Sequence, residues 1–174
     1  MGRPQSCRVS FLLKQWSAFA LVFLASQAKA ADRLQADRIL IVKSTRTMTL
    51  FSGAKVLKTY KIALGTAPVG SKRREGDHKT PEGIYTIDAK NPQSRFHLSL
   101  HISYPSAADR ELARKLGASP GGAIMIHGLA PEFAYLGALH RKTDWTDGCV
   151  AVTNSEIEEV WKLVPVGARV EIRP

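Results

Sequence analysis

The sequence predicts a mainly β fold, a β-sandwich or barrel with one or two covering helices. Short runs of alternating or β-rich apolar residues recur along the chain, and "FHLSLHISY" (residues 96–104) alternates without a break. Only two segments have apolar residues at helical spacing, so strands dominate the predicted architecture. The 174 residues suffice for one domain with its own core.

Strands joined by short turns are predicted on either side of one long loop. In the third strand, Val56, Tyr60, Ile62 and Leu64 are predicted to share one face. The loop that follows contains glycine and proline throughout and has no apolar period, which is typical of functional or mobile loops. The loop covers residues 65–83, and the predicted strands lie within residues 38–43, 47–51, 56–65, 84–88, 96–104, 123–128 and 165–174.

Two helices are predicted, and each contains a capping box, in which the N-cap side chain and a side chain three residues later bond each other's backbone N–H groups. Ser106 and Asp109 match this pattern in the first helix, and Ser155 and Glu158 match it in the second. Gly117 follows the first helix and predicts its end. The two segments are residues 106–117 and 153–164.

The N-terminus has the pattern of a secretory signal peptide. A basic start without acidic residues precedes the apolar run "WSAFALVFLA", and "AKA" ends the segment with small residues. The run is short for a membrane span, which takes about 20 apolar residues, although an uncleaved anchor is the alternative. The predicted organisation is a signal peptide at residues 1–30, a short N-terminal segment at 31–37 and one domain at 38–173.

The chain is basic, with 25 Lys and Arg residues against 15 Asp and Glu and a formal net charge of +10. All charged residues within residues 1–30 are basic, so cleavage after residue 30 lowers the positive charge, but the mature chain stays positive. This favours an anionic partner, such as a wall polymer or a membrane surface, and export argues against nucleic acid. The basic cluster "SKRRE" (residues 71–75) is interpreted as a solvated loop rather than a binding site.

Cleavage would leave Cys149 as the only cysteine, since the chain has two and Cys7 lies in the signal peptide. A lone cysteine in an exported protein suggests a reactive thiol or intermolecular pairing, although a buried inert cysteine is the alternative. His127 ends a predicted strand and is a candidate base for a thiol nucleophile. Zinc bound by Cys149, His127 and His140 is disfavoured because paired ligand spacings are missing. His78, in the long loop, is predicted to be exposed.

Three stretches together resemble the L,D-transpeptidase (YkuD-type) family of cell-wall enzymes. "IMIHG" and then "WTDGCVAV" resemble the family's strand-end His-Gly and its Ser/Thr-x-Gly-Cys motif. Upstream, "ALGTAPVGSKRREGDHKTPEGIYTI" resembles the family's entry loop. The resemblance covers about residues 38–173. It implies a β-sandwich-like catalytic domain and an enzyme that needs no metal or other cofactor.

The resemblance also implies roles for individual residues. Cys149 is the expected nucleophile and His127 the expected base, with the carbonyl of Gly128 orienting the imidazole. The backbone N–H groups of Gly148 and Cys149 are expected to form the oxyanion hole. The neighbouring residues of the motif are expected to bind substrate; they are Trp145, Thr146 and Asp147.

The implied substrate is the peptide stem of peptidoglycan, and the implied location is the periplasm or cell wall. Asp147 stands where many members have a basic residue or histidine, Ala151 where Arg or Asn is common, and the gap from His127 to Thr146 is slightly long. A subgroup with the "WTDGC" form includes hydrolases that release a lipoprotein attached to the wall, so hydrolysis and a lipoprotein partner stay open alternatives. A wall-binding domain without activity is the non-enzyme alternative.

Overall fold

A computed structural model describes residues 1–2 and 35–174 of the chain. The predicted signal peptide lies almost wholly outside these residues. Residues 35–174 belong to one compact unit. Within the described residues, no helix is long and apolar enough to cross a membrane.

Eight strands form one curled sheet, which confirms the predicted mainly β fold. Their order across the sheet is β3-β2-β1-β8-β4-β5-β6-β7. Neighbours are antiparallel except for two parallel pairs, β1 with β8 and β6 with β7. The strands are β1 (Arg38–Val42), β2 (Thr47–Ser52), β3 (Lys55–Lys61), β4 (Gly83–Ser94), β5 (His97–Ile102), β6 (Met125–His127), β7 (Val150–Ala151) and β8 (Arg169–Arg173).

The chain that leaves β3 closes the sheet by bonding to β7, the strand at the opposite end of the order. Ala63 and Ala151 exchange backbone hydrogen bonds of 3.0 and 2.9 Å. The carbonyl of Leu64 accepts from the amides of Trp145 and Thr146, both at 3.1 Å. The edges at β3 and β7 are therefore connected by hydrogen bonds, and these bonds involve the stretch that contains Cys149.

The core lies inside this curled sheet and is lined by every second residue of the strands. Ile39 and Ile41 in β1 and Leu100 and Ile102 in β5 are completely buried, as the alternating pattern predicts. The prediction for β3 was wrong for Val56, whose side chain is half exposed. The register shifts in the β2–β3 pairing beside this residue, and a bulge moves side chains to the other face.

Two α-helices cover the sheet, α1 (Ala107–Lys115) and α2 (Asn154–Leu163). The capping box of α1 is the predicted one, between Ser106 and Asp109. The capping box predicted for α2 was wrong, because the N-cap is Thr153, two residues before Ser155, and its partner is Glu156. A kinked 3₁₀ segment, which was not predicted, spans Pro131–Lys142 between β6 and β7.

The loop between β3 and β4 is held by two buried lysines. Lys43 reaches from the end of β1 to Glu82 at 2.8 Å and also donates to the carbonyl of Gly70. Lys72 pairs with Asp77 at 2.9 Å inside the loop. Burial alone would raise the pKa of Asp77, but hydrogen bonds from the Arg73 amide, Lys72 and other donors outweigh it and lower the pKa to about 2.

We expect Asp77→Asn to lower the free energy of unfolding at pH 7 by about 2–4 kcal/mol, because it leaves the buried Lys72 ammonium without its carboxylate. The native pKa of Asp77 is depressed, so this contribution is complete above the ordinary pKa near 4 and disappears as pH falls towards 2. Urea unfolding of both chains between pH 2 and pH 7 measures it.

Glu75→Gln is the matched control, since Glu75 is exposed in the same loop. Its effect on unfolding is expected to stay within about 0.5 kcal/mol. Equal stability of Asp77→Asn and wild type at pH 7 would contradict the assigned role of the Lys72–Asp77 pair.

Candidate active site

Cys149 and His127 come from the ends of two neighbouring parallel strands. His127 is the last residue of β6 and pairs in register with Ala151 of β7. Cys149 lies two residues before Ala151, and side chains two apart in an extended chain point to the same face. The fold therefore places the thiol and the imidazole on one face of the sheet, offset by two positions along adjacent strands.

The imidazole of His127 is buried and is oriented by the backbone carbonyl of the next residue, Gly128. Nδ1 lies 2.7 Å from the carbonyl oxygen of Gly128, which can only accept, so Nδ1 carries the proton and Nε2 keeps its lone pair. The ring packs against Phe96 at a centroid distance of 4.4 Å and meets the edge of Trp145 at 5.7 Å. Burial lowers the pKa of His127, which makes neutral imidazole the resting form.

The thiol of Cys149 is held by the backbone that precedes His127. The amide of Met125 donates to Sγ at 3.4 Å, and Sγ donates to the carbonyl of Ala123 at 3.5 Å. Within the described residues Sγ has no hydrogen bond to His127. Burial raises the pKa of the thiol; the Met125 amide opposes this rise, and the Asp147 carboxylate adds to it. These shifts favour the neutral thiol and the neutral imidazole as the resting forms.

The turn before Cys149 requires a glycine. Gly148 has φ +125°, and a Cβ at this position would lie 2.5 Å from the carbonyl oxygen of Lys79. The hydroxyl of Thr146 accepts from the Gly148 amide at 3.1 Å and donates to the Cys149 carbonyl at 2.8 Å. The buried Thr146 side chain is thus used inside the turn. The Gly148 amide is already bonded, whereas the Cys149 amide has no acceptor among residues 35–174.

Asp147 points away from this turn and meets the long loop. Its carboxylate lies 2.8 Å from Nδ1 of His78, and both side chains are largely exposed. The sequence predicted that His78 would be exposed but gave no signal for this contact, which depends on how the loop folds back. The structure therefore brings an imidazole from the loop to the residue two positions before Cys149.

Two cavities with different linings lie near Cys149 and His127 and are lined by residues that neighbour them. On the Cys149 side, a polar cavity of about 330 Å³ is lined by Lys72, Glu75, His78 and Asp147, among others. On the His127 side, a cavity of about 320 Å³ is walled mainly by apolar side chains, including Trp145. Of the three motif residues predicted to bind substrate, Trp145 and Asp147 thus line cavities on opposite sides.

Phe96 is a site residue that sequence reasoning missed. The alternating pattern predicted only that Phe96 faces the same way as the other apolar residues of the strand. Its stacking on His127 depends on the pairing of β5 with β6, which a sequence does not reveal. His140 lies beside Trp145 and accepts from the indole N–H at 3.3 Å. In the described part of the chain, no three His, Cys, Asp or Glu side chains are grouped to hold one metal ion.

The sequence profile of the L,D-transpeptidase catalytic domain family, YkuD, matches residues 36–172. The chain belongs to this family. The match confirms the predicted family and the prediction of an L,D-transpeptidase catalytic domain. It includes all eight strands except the last residue of β8, and every residue of the site described above.

Among curated proteins, the chain is similar to YafK of Escherichia coli K12, which is named as a candidate L,D-transpeptidase. The two are 32% identical over 132 residues, which is 72% of this chain and 46% of YafK. The chain therefore spans less than half the length of the curated relatives that it matches.

Two solved structures have a similar fold. Bd1075 of Bdellovibrio bacteriovorus is 25% identical with a TM-score of 0.54, covering 78% of this chain and 46% of that one. The helical cell shape determining protein Pgp2 of Campylobacter jejuni is 23% identical with a TM-score of 0.58, covering 80% and 50%. At 23% identity, the similarity to Pgp2 shows the fold alone.

We expect alkylation of Cys149 by iodoacetamide to accelerate with pH up to and beyond the ordinary thiol pKa of about 8.5, because burial raises the pKa of Cys149 and lowers that of His127. The full chain with Cys7→Ser isolates this thiol. A rate that is already maximal and constant between about pH 5 and pH 8 would contradict a neutral pair and indicate a preformed thiolate.

Proposed function

We propose that this protein is an exported L,D-transpeptidase that acts on peptidoglycan stem peptides through a thioester on Cys149. The observation that carries the proposal is the placement of Cys149 and His127 on one face of adjacent parallel strands, with Nδ1 of His127 tied to Gly128. A thiol beside an imidazole with a free Nε2 suits nucleophilic acyl transfer. The family match supports the cell-wall substrate.

The reaction begins when the Cys149 thiol attacks the carbonyl of an L-centre whose amide partner is a D-centre amino acid. His127 Nε2 accepts the thiol proton and then delivers it to the leaving amine, which completes the thioester. An incoming amine, or water, next gives its proton to His127 and takes the acyl group. His127 returns that proton to sulfur, so the enzyme ends as it began.

The negative charge on the attacked oxygen needs backbone donors. Both Gly148 and Cys149 amides are expected in the oxyanion hole. In the resting structure the Gly148 amide donates to Thr146, while the Cys149 amide has no acceptor within the described residues. The Cys149 amide is therefore the donor that is ready before substrate arrives, and Thr146 contributes by holding the turn.

The proposed location is the periplasm or cell wall, since the N-terminal sequence has the signal-peptide pattern. The basic charge suits an anionic wall. We propose roles in peptidoglycan biosynthesis and wall biogenesis. A role in cell shape is proposed by analogy with Pgp2, which is named a cell shape determining protein. A lipoprotein attached to the wall is a further proposed partner.

Cys149→Ala is expected to abolish turnover while the protein stays folded, because a small side chain replaces a small one. The test is mass spectrometry of purified stem peptides and cross-linked dimers after incubation with the full chain. Intact-mass analysis of the enzyme reports the thioester directly. Wild-type turnover by Cys149→Ala would exclude Cys149 as nucleophile, and binding without any turnover by wild type would favour a wall-binding domain.

Hydrolysis is the second candidate, and the exposed carboxylate of Asp147 favours it. A negative charge near the thioester repels an incoming amine that carries a carboxylate, whereas water is not repelled. His78 offsets this charge only in its protonated form, at 2.8 Å from the carboxylate. A neutral His78 leaves the repulsion in place.

Asp147→Asn is expected to raise the ratio of transfer to hydrolysis roughly two- to fivefold, the effect of one partly screened charge. The measurement is the product ratio with a D-amino acid acceptor at fixed concentration. Asp88→Asn is the matched control, because Asp88 forms a similar exposed pair with His101, 2.6 Å apart, on β4 and β5. Equal product ratios for Asp147→Asn and Asp88→Asn would remove Asp147 from acceptor choice.

A further inference from the structure

Trp145 lies between two histidines, and one of them holds its side chain. Its ring meets the ring of His127 in an edge arrangement, with the centroids 5.7 Å apart, and the ring of His140 in a similar arrangement at 6.3 Å. The indole N–H donates to Nδ1 of His140 at 3.3 Å. A side chain that contacts His127 is therefore itself positioned by a second imidazole, which comes from the 3₁₀ segment.

The backbone of Trp145 is fixed, but its backbone bonds do not decide where the ring lies. The Trp145 amide donates to the carbonyl of Leu64 at 3.1 Å, and the carboxylate of Asp144 accepts from the Leu64 amide at 2.9 Å. The ring can still turn about its two side-chain torsions. Within residues 35–174 the indole N–H has one acceptor, His140, so this bond selects the orientation in which the ring meets His127.

The imidazole of His127 depends on its neighbours for its orientation and for the exclusion of water. The bond of 2.7 Å to the Gly128 carbonyl fixes the tautomer, but one hydrogen bond leaves the ring free to tilt. Phe96 and Trp145 restrict that tilt. They also contribute to the burial that lowers the pKa of His127. If Trp145 turned away, Nε2 would lose its fixed direction and the pKa would rise.

His140 is buried in a way that costs stability. The residue is 5% exposed. Because Nδ1 accepts from the indole, the neutral ring carries its proton on Nε2, which has no acceptor among the described residues. A buried donor without an acceptor is unfavourable, so an apolar side chain of similar size would suit this position better on packing grounds alone. The imidazole is therefore expected to contribute something other than stability.

The surroundings of His140 keep it in the neutral form that the bond from Trp145 requires. Burial, followed by the charges of Arg141 and His127, lowers the pKa of His140 to about 4 against the opposing charge of Glu156. A protonated imidazole has no lone pair for the indole N–H. Arg141 is held in turn by its ion pair with Glu156, in the first turn of α2. The acceptor is therefore available throughout the neutral pH range.

We propose that His140 is a positioning residue for His127, which acts by holding the indole ring of Trp145 against that imidazole. The proposal rests on the proposed function for the role of His127 as a base, and it adds a residue that acts on this base through another side chain. His140 exchanges no proton in the reaction and forms no bond to the substrate. One hydrogen bond thus connects the 3₁₀ segment to the ring that receives the thiol proton.

Two substitutions at His140 separate the hydrogen bond from burial. His140→Leu fills a similar volume without an acceptor, whereas His140→Asn keeps one, since Oδ1 of asparagine is as many bonds from the backbone as Nδ1 of histidine. With a stem tetrapeptide and the full chain, intact-mass analysis is expected to show thioester formation slowed about tenfold in His140→Leu and less than about threefold in His140→Asn. Urea unfolding is expected to show no loss of stability in His140→Leu, because the unpaired Nε2–H is gone. A wild-type rate in His140→Leu would overturn the proposal, and so would an equal loss of rate in His140→Asn.

A double-mutant cycle tests the route through Trp145. Trp145→Phe removes the donor and keeps a ring. If His140 acts through Trp145, the double variant His140→Leu/Trp145→Phe is expected to react within about twofold of Trp145→Phe alone. Losses that multiply would contradict this route. Trp161→Phe is the matched control and keeps the wild-type rate, because Trp161 is a half-buried tryptophan of α2 whose ring lies 4.5 Å from the ammonium of Lys90.

An NMR titration separates failure of this inference from failure of the proposed function. In Cys149→Ala, which forms no thioester, the added change His140→Leu is expected to shift the Trp145 indole N–H resonance and to raise the pKa of His127, because the ring becomes more hydrated. The added change His140→Asn leaves both close to their values in Cys149→Ala. Since His127 must be neutral to take a proton, the acid limb of the thioester rate moves to higher pH in His140→Leu.

The outcomes of the titration are distinct. Absence of a thioester in wild type together with the raised pKa of His127 in the His140→Leu background would refute the proposed reaction and keep the positioning role. A thioester in wild type together with an unchanged titration of His127 in that background would refute the positioning role alone.

Discussion

The backbone hydrogen bonds between the chain after β3 and the stretch around Cys149 are the interaction on which the site depends. Ala63 pairs with Ala151, Leu64 accepts from two amides of the motif, and the amide of Thr66 donates to the carbonyl of Thr146 at 3.0 Å. These bonds close the curled sheet and fix the backbone on one side of Cys149. The pairing of β6 with β7 fixes it on the other side, so Cys149 is held between two sets of backbone bonds.

This closure also explains why two positions in these segments are occupied by glycine. A Cβ on Gly65 would lie 2.2 Å from the carbonyl oxygen of His78, and one on Gly148 would lie 2.5 Å from that of Lys79. The loop backbone at His78 and Lys79 therefore packs directly against the backbone at Gly65 and Gly148, with no side chain between them. The polar cavity is built from this loop, and its position relative to the thiol follows from the same contacts.

The sequence was enough to predict the fold class, the family and most of the element types, because apolar alternation and the two-part motif are local signals. It failed where a contact depends on pairing between distant segments. The stacking of Phe96 on His127 and the pair between His78 and Asp147 are examples. It also placed the N-cap of α2 two residues late, since Ser155 and Thr153 both satisfy the capping pattern and only the folded backbone selects Thr153.

The segments on the two sides of Cys149 and His127 are attached to the fold in different ways. The polar side belongs to a loop that is held by Lys43, Lys72 and the closure of the sheet, and the backbone of this loop touches the turn at Gly148. The 3₁₀ segment on the apolar side is held by its flanking side chains, as in the His140–Trp145 contact and the Arg141–Glu156 pair. Among the described residues, the hydrogen bonds that fix the backbone at Cys149 and His127 come from the sheet and its closure and not from this segment. The segment therefore differs from the long loop in how directly its packing is coupled to these two residues.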